Sequence, residues 1–227
     1  VGWWSGSIVI GPVGGVTLAF PLSAFVTVGF ALTFTGCWMV YSSKVGKRKR
    51  REQLLNYVSW NGSERVLDVG CGRGLMLNGA AKRLTTGKAV GIDIWQENDL
   101  SGNKPEATLE NAQREDVAAR VEVQKADMRK LPFGDASFDV VISCAAIHNI
   151  YTASEREKAI REIARVLKPG GKAVRDDIRH ISEYSSQFIK AGCSRSERVG
   201  SVVYSVFWLL ITFGSLFPGT LLVQKNK

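Results

Sequence analysis

The sequence predicts an α/β fold: a mostly parallel sheet with a C-terminal antiparallel hairpin, preceded by one or two transmembrane helices. Three observations lead there. Residues 1–43 contain no Asp, Glu, Lys or Arg, so the whole net charge of +9 on the 227 residues lies from Lys44 onward. Beyond residue 60, β-branched runs alternate with helical stretches, the pattern of parallel strands joined by helical crossovers. Between the first strand and helix of that series stands VLDVGCGRG, Val66 to Gly74, in which three alternate glycines follow an aspartate.

The uncharged N-terminal stretch comes first. Pro21 to Tyr41 reads PLSAFVTVGFALTFTGCWMVY, about the 20 apolar residues that a helix needs to cross the hydrocarbon layer. Trp38 and Tyr41 sit near one end, where aromatic belts lie, and KVGKRKRR, Lys44 to Arg51, follows with six basic residues in eight. Basic residues flank the cytoplasmic end of a span. A cleaved secretory signal has the reverse order, charges before a shorter apolar core. Upstream, residues 2–20 are also uncharged but broken by Gly11, Pro12, Gly14 and Gly15; they read as a re-entrant segment or a second span, and the second span is the expectation. The organisation expected is therefore a membrane anchor over 1–43, a basic juxtamembrane linker and helix over 44–60, and one α/β domain over 61–227. In the basic run each Lys or Arg gains about 1 kcal/mol near anionic lipid. No aromatic residue interleaves those charges, as a base-stacking platform requires, so no nucleic-acid partner is expected. Cys37, Cys71, Cys144 and Cys193 form no C-x-x-C pair, which argues against a zinc ribbon or a disulfide framework.

The soluble elements follow in order. A linking helix is expected around Glu52 to Val58, a first strand over Arg65 to Val69 and a first helix over Leu75 to Leu84. Lys88 to Asp93 is the second strand. Pro105 opens the next helix, a residue suited to the first helical position. Arg120 to Lys125 and Phe138 to Ser143 are the third and fourth strands. In Ser154 to Leu167, Ser154 and Glu157 have capping-box spacing, and Ile160, Ile163, Ala164 and Leu167 mark one face. That helix is expected to stop at Lys168 to Gly171, KPGG. A fifth strand over Lys172 to Asp177 and a short helix over Ser182 to Ala191 complete the alternation. From Val199 to Gln224 the chain is again uncharged and long enough to cross a membrane, while Val199 to Val206 and Thr220 to Gln224 have the β-branched content of strands.

Ligands of open α/β sheets lie beyond the carboxyl ends of the strands, so the glycine turn is the place to look. A dinucleotide turn spaces its glycines G-x-G-x-x-G. Here Gly70, Gly72 and Gly74 are spaced G-x-G-x-G, after Asp68. This ordered set, with LPFGDASFDVVIS and REIARVLKPGG downstream, resembles the class I S-adenosylmethionine-dependent methyltransferases over about Arg65 to Gly171, most closely the small quinone-biosynthesis type. The resemblance implies a Rossmann-like class I methyltransferase fold with S-adenosyl-L-methionine as cofactor, and, because that family's sheet ends with an antiparallel pair, a hairpin rather than a span over Val199 to Gln224. It implies that Gly70, Cys71, Gly72 and Gly74 lie under the methionine part and that Asp68 helps orient its amino group. Asp93 would take the ribose hydroxyls, Ile94 line the adenine, Asp127 receive the adenine amine with a main-chain contact from Met128, and the Ser143 carbonyl meet the methionine ammonium. A diol, an ammonium and an amine are all donors, and carboxylates and carbonyls are their partners. Asp68 equally suits a bracing role in the turn.

The chain departs from the family in a long polar loop after Asp93, expected to cover the cofactor or shape the acceptor entrance, with Trp95 stacking near the cofactor or filling the loop's base. Methyl transfer from a sulfonium needs alignment and exclusion of water more than a nucleophilic triad or a metal. Where the acceptor must lose a proton, His148 in AAIHNI is the candidate base, with His180 and Tyr151 behind it; capping a turn is its alternative role. The reading is methyl transfer to a small acceptor, either hydrophobic and membrane-partitioned or soluble, by a chain attached to the lipid bilayer through residues 1–43 with its catalytic domain on the cytoplasmic side. A catalytically silent cofactor-binding membrane protein and a nicotinamide-dependent oxidoreductase are the alternatives.

Overall fold

The computed structural model describes residues 7–13, 16–96, 102–213 and 215–227. The chain forms two compact units, Val1–Arg50 and Arg51–Lys227.

The first unit opens with a hairpin, β1 (Ser7–Val13) antiparallel to β2 (Val16–Pro21), with Ile8 opposite Phe20 and Ile10 opposite Leu18. The expected second span is therefore corrected to a strand pair. Glycine and proline weaken a helix there, and the β-branched residues of SIVIGPV and VTLAFP suit a sheet. Helix α1 (Leu22–Tyr41) occupies the stretch expected as the span, starting just after Pro21. Its apolar side chains face outward on every side, and Phe30, Phe34 and Trp38 stack at i, i+4 spacing with ring centroids 6.5 Å apart. Thr27 and Thr33 donate their hydroxyls to the carbonyls of Ser23 and Gly29, each at 2.8 Å, so these polar groups need no water. One π-helical stretch, Ser42–Gly46, leads into α2 (Lys47–Leu55), within which the division into units falls. Among the described residues one helix is long and apolar enough to cross a membrane.

The second unit is a seven-stranded sheet built from β3 (Arg65–Val69), β4 (Lys88–Asp93), β5 (Val121–Lys125), β6 (Phe138–Cys144), β7 (Leu167–Asp177), β8 (Cys193–Val199) and β9 (Gly219–Lys225). Their order is β5-β4-β3-β6-β7-β9-β8, parallel except for β9, which runs antiparallel to both neighbours. Five further helices belong to this unit: α3 (Leu75–Ala81), α4 (Pro105–Arg114), α5 (Ala153–Val166), α6 (Ile181–Lys190) and α7 (Val202–Ile211).

Alternation along the strands feeds two cores. Leu67 and Val69 of β3 join Val90, Ile92, Ile160, Ile163 and Phe188 on one face, while Val66 joins Leu54, Leu55, Leu77 and Ala80 on the other. Each such side chain stabilises the fold by roughly 1.5–3 kcal/mol relative to exposure. Because the sheet is covered on both faces, its central strands β3, β4 and β6 are buried along most of their length. The strand order reverses at β3, which lies between β4 and β6, and there the carboxyl ends open a crevice.

Three boundaries differ from expectation. The cap of α5 is Thr152, whose hydroxyl accepts from the Glu155 amide at 3.3 Å, so Ser154 lies inside the helix. The helix ends at Val166, and Lys168 to Gly171 belong to β7. The expected strand over Val199 to Val206 is corrected: the hairpin is present, but its first strand is β8, and Val202–Ile211 is helical. Ser201 caps α7 by accepting from the Tyr204 amide, and the β-branched pair Val202 and Val203 is outweighed by the long side chains after it. Val203 is 78% and Leu210 70% exposed, so α7 turns apolar side chains to its surroundings. Thr152→Ala should cost about 1 kcal/mol of stability, whereas Ser154→Ala should change little; thermal midpoints of the two variants distinguish them.

Candidate active site

The turn after β3 is fixed from three sides. The amides of Gly70 and Cys71 both donate to the Ile92 carbonyl at the end of β4, at 2.9 and 3.0 Å. Gly70 has φ +76°, and a Cβ built on it would stand 2.3 Å from the Cβ of Ala146, so only glycine fits between β3 and the segment after β6. Gly74, at φ +84°, starts α3.

Asp93, the last residue of β4, ties that turn to its own strand. Its Oδ2 accepts from the Gly72 amide at 2.8 Å and its Oδ1 from the Trp95 amide at 2.7 Å. Each oxygen keeps acceptor capacity, since a carboxylate offers about four lone-pair sites. The Gly72 carbonyl in turn accepts from the Thr108 hydroxyl at 2.6 Å and from the Trp95 indole at 3.3 Å. Trp95 is 9% exposed and fills the base of the loop after β4. Of the covering role expected for that loop, residues 97–101 lie outside the described residues.

Beyond these strand ends lies a cavity of about 580 Å³, within the range of small-molecule sites. Gly70, Asp93 and Ile94 line one part of it, Asp127 and Met128 another, and Ala146 and His148 a third. The order of elements and the placement of the crevice are those of the fold expected from the sequence.

Comparison with known proteins agrees. Residues 67–174 match the family model described as a methyltransferase domain. The 27-O-demethylrifamycin SV methyltransferase of Amycolatopsis mediterranei is 33% identical over 158 residues, 68% of this chain and 53% of that protein. The ubiquinone/menaquinone biosynthesis C-methyltransferase of Geobacter sulfurreducens is 28% identical over 173 residues, 75% of this chain and 59% of that protein. A solved S-adenosylmethionine-dependent methyltransferase from Aquifex aeolicus superposes with a TM-score of 0.57 at 22% identity, covering 77% of this chain and 88% of that one. Residues 67–174 thus match a methyltransferase domain, on the fold of the solved S-adenosylmethionine-dependent methyltransferase. The chain spans little more than half the length of these two curated relatives.

The methyltransferase domain brings only part of the expected residue set to the cavity wall. Gly70, Asp93, Ile94, Asp127, Met128 and His148 line it. Cys71, Gly72 and Gly74 shape the turn behind Gly70, and burial pushes the Cys71 thiol well above the ordinary thiol range. Ser143 is 3% exposed within β6, so the wall at that strand end is formed by Ala145 and Ala146. Asp127 is held by Arg129: its Oδ1 accepts from the Arg129 amide and Nε, and its Oδ2 from Nε and Nη2, at 2.6 to 3.0 Å. The guanidinium holds the Asp127 carboxyl below the ordinary carboxylate range. Arg129 also reaches Glu155 at 3.0 Å, so a nucleoside amine approaching Asp127 must displace part of that clamp. His180 starts α6 at φ +61°, and Tyr151 is 98% exposed at the rim.

Thr108, Arg129 and Asp177 are the polar residues that sequence reasoning missed. Thr108 lies within an ordinary amphipathic helix, and only the packing of α4 against the glycine turn reveals its role.

Asp68 is 1% exposed, with Oδ2 unpartnered. Burial pushes its carboxyl up to about 7, with the Leu77 amide opposing and the Asp93 charge adding to the shift. The folded state therefore holds a proton that the unfolded chain releases from the ordinary carboxylate range upward. Stability should fall as pH rises from about 4 to about 7, by a few kcal/mol if Asp68 acted alone, and level off above. Asp68→Asn should flatten that decline, read from denaturation midpoints across pH.

Proposed function

We propose that the chain transfers a methyl group from S-adenosylmethionine to a small acceptor. The observation that carries this is the Asp93 carboxylate at the cavity wall, held by two backbone amides with lone pairs to spare. A ribose diol is the partner that such an oriented acceptor pair suits, and a pyrophosphate would be repelled by it. Ile94 and Met128 supply flat apolar contact for the adenine, and Asp127 an acceptor for its amine. Gly70 opens the floor for the methionine part, with Cys71, Gly72, Gly74 and the buried Asp68 fixing the turn and the Ser143 strand end bounding it. The residues present thus fit the cofactor. When bound, it supplies a methyl group already activated by a sulfonium charge. The chain's task is to orient the acceptor, exclude water and take up a proton where the acceptor has one to lose.

The family relatives named for a quinone pathway and for a rifamycin support a small-molecule acceptor. A hydrophobic one fits the rest of the chain. On this reading residues 1–43 anchor the chain in a bilayer, 44–60 form a basic linker at the cytoplasmic headgroups, and 61–227 form the catalytic domain on the cytoplasmic side. Support comes from α1, a helix of spanning length with outward apolar side chains, followed by six basic residues in eight. The outward apolar face of α7 is consistent with lipid contact as well. None of its described residues lines the cavity.

Titration of the purified full chain in detergent should show binding of S-adenosylmethionine and none of NADH, and incubation with labelled donor and a membrane extract should yield a labelled product. Donor binding without any labelled product would overturn the enzymatic reading. Asp93→Ala should weaken donor binding by about 2 to 3 kcal/mol, roughly 30- to 150-fold, measured by calorimetry. In vesicle flotation the chain should stay with the lipid after an alkaline wash. Release by that wash would reject the anchor.

A further inference from the structure

A cluster of buried polar side chains lies beside His148. It centres on Asp177, the last residue of β7, which is buried and whose four hydrogen-bonding directions all point to named groups. Its Oδ2 lies 2.5 Å from Nη2 of Arg175 and 3.3 Å from the His148 amide. Its Oδ1 accepts from the Ile178 amide at 2.8 Å and stands 2.6 Å from Nδ1 of His148. Arg175 is itself 1% exposed, with its guanidinium carbon 3.2 Å from the centre of the Tyr184 ring. Arg156 of α5 and Glu183 of α6, paired at 2.8 Å, are further charged or titratable neighbours, together with His180, Arg179 and Asp176.

The approach of Nδ1 to Oδ1 has the distance of a hydrogen bond but a bent angle, so Nδ1 lacks an aligned partner. The distance is the more telling of the two. A ring nitrogen and a carboxylate oxygen, both bearing lone pairs, come that close only with a proton between them. Nδ1 is inaccessible to solvent while the ring as a whole is 20% exposed and lines the cavity. The accessible edge is therefore the one that carries Nε2.

We propose that Asp177 is a positioning residue that holds the proton of neutral His148 on Nδ1, leaving Nε2 free toward the cavity to deprotonate an acceptor bearing an ionisable O–H group. This rests on the methyl-transfer reading above. The acceptor class follows from the chemistry. A thioether or a neutral amine presents its lone pair without help, whereas a neutral hydroxyl is a weak nucleophile until its proton leaves. A phenol or enol matches an imidazole base. Its proton passes to Nε2, and its electron pair, on oxygen or on the carbon conjugated with it, forms the new bond to the methyl carbon while the carbon–sulfur pair returns to sulfur. Arg175 supplies the opposite charge that allows a carboxylate to be buried under the ring.

The chain has two histidines, so ¹⁵N spectra of the histidine-labelled full chain in detergent can be assigned with one variant. His180→Asn serves, because asparagine tolerates the left-handed backbone at that position. Under alkaline conditions the His148 ring should show the Nδ1–H tautomer; an Nε2–H tautomer overturns the proposal. Asp177→Asn, whose amide can donate to Nδ1, should switch the ring to Nε2–H and lower turnover by about 10²-fold or more with donor affinity retained. Should that variant fail to fold, the wild-type spectrum and His148→Gln, which leaves the Arg175–Asp177 pair intact, carry the test: turnover should fall while donor affinity stays. Retained turnover in His148→Gln overturns the proposal. Mass spectrometry of the product from labelled donor and membrane extract should find the label on oxygen or on a carbon beside a hydroxyl, and label on nitrogen or sulfur overturns the acceptor class. Absence of any product counts against methyl transfer itself, and the tautomer decides the role of Asp177 regardless.

Discussion

The site depends on the pair of amide hydrogen bonds that converge on Asp93. One comes from Gly72 in the turn after β3 and one from Trp95 in the segment after β4, so a single carboxylate sets the spacing of two neighbouring strand ends. Hydrogen bonds to an ionised acceptor are about twice as strong as neutral ones. The turn then needs no cation to hold its shape. Thr108 and the Trp95 indole close the arrangement from the other side by donating to the Gly72 carbonyl. Donors and acceptors of the turn are thus both satisfied before any small molecule arrives, and the wall is preorganised.

Beneath that wall the structure holds polar groups that the hydrophobic core alone would reject. Asp68 sits behind the turn with an unpartnered oxygen, and Arg175 and Asp177 form a buried ion pair under His148. Buried pairs of this kind add little net stability compared with apolar packing, yet removing one partner is costly. Burial lowers the Arg175 guanidinium from its ordinary value, with Asp177 opposing the shift. Both groups lie on strands that end at the cavity, which places their cost where chemistry can use it.

Much of the fold was legible because the signals were local. The first two parallel strands, β3 and β4, are rich in apolar residues, the glycine turn has its own spacing, and Pro105 marks the start of α4. The errors came where tertiary context competes with propensity. Val202 and Val203 favour a strand by type, but Ser201 caps a helix and Arg198 fastens it by donating to Ser205 and to the Pro218 carbonyl. Thr152 and Ser154 are both reasonable caps by composition, and only the backbone geometry selects between them. At the site, Asp93 and Asp127 were expected from the family resemblance and from their place at the ends of predicted strands. Thr108, Arg129 and Asp177 were not, since each is defined by a partner distant along the chain or folded back from a turn, which no spacing rule records.

The outward face of α7 has a practical corollary. Val203, Phe207 and Leu210 of α7, and Phe213 just beyond it, leave more than half of their surface uncovered in the unit that also holds the candidate site, and large exposed apolar patches favour association. Deleting the N-terminal helix would leave that adhesive surface in place. Making those four side chains polar would therefore lessen self-association of the α/β unit.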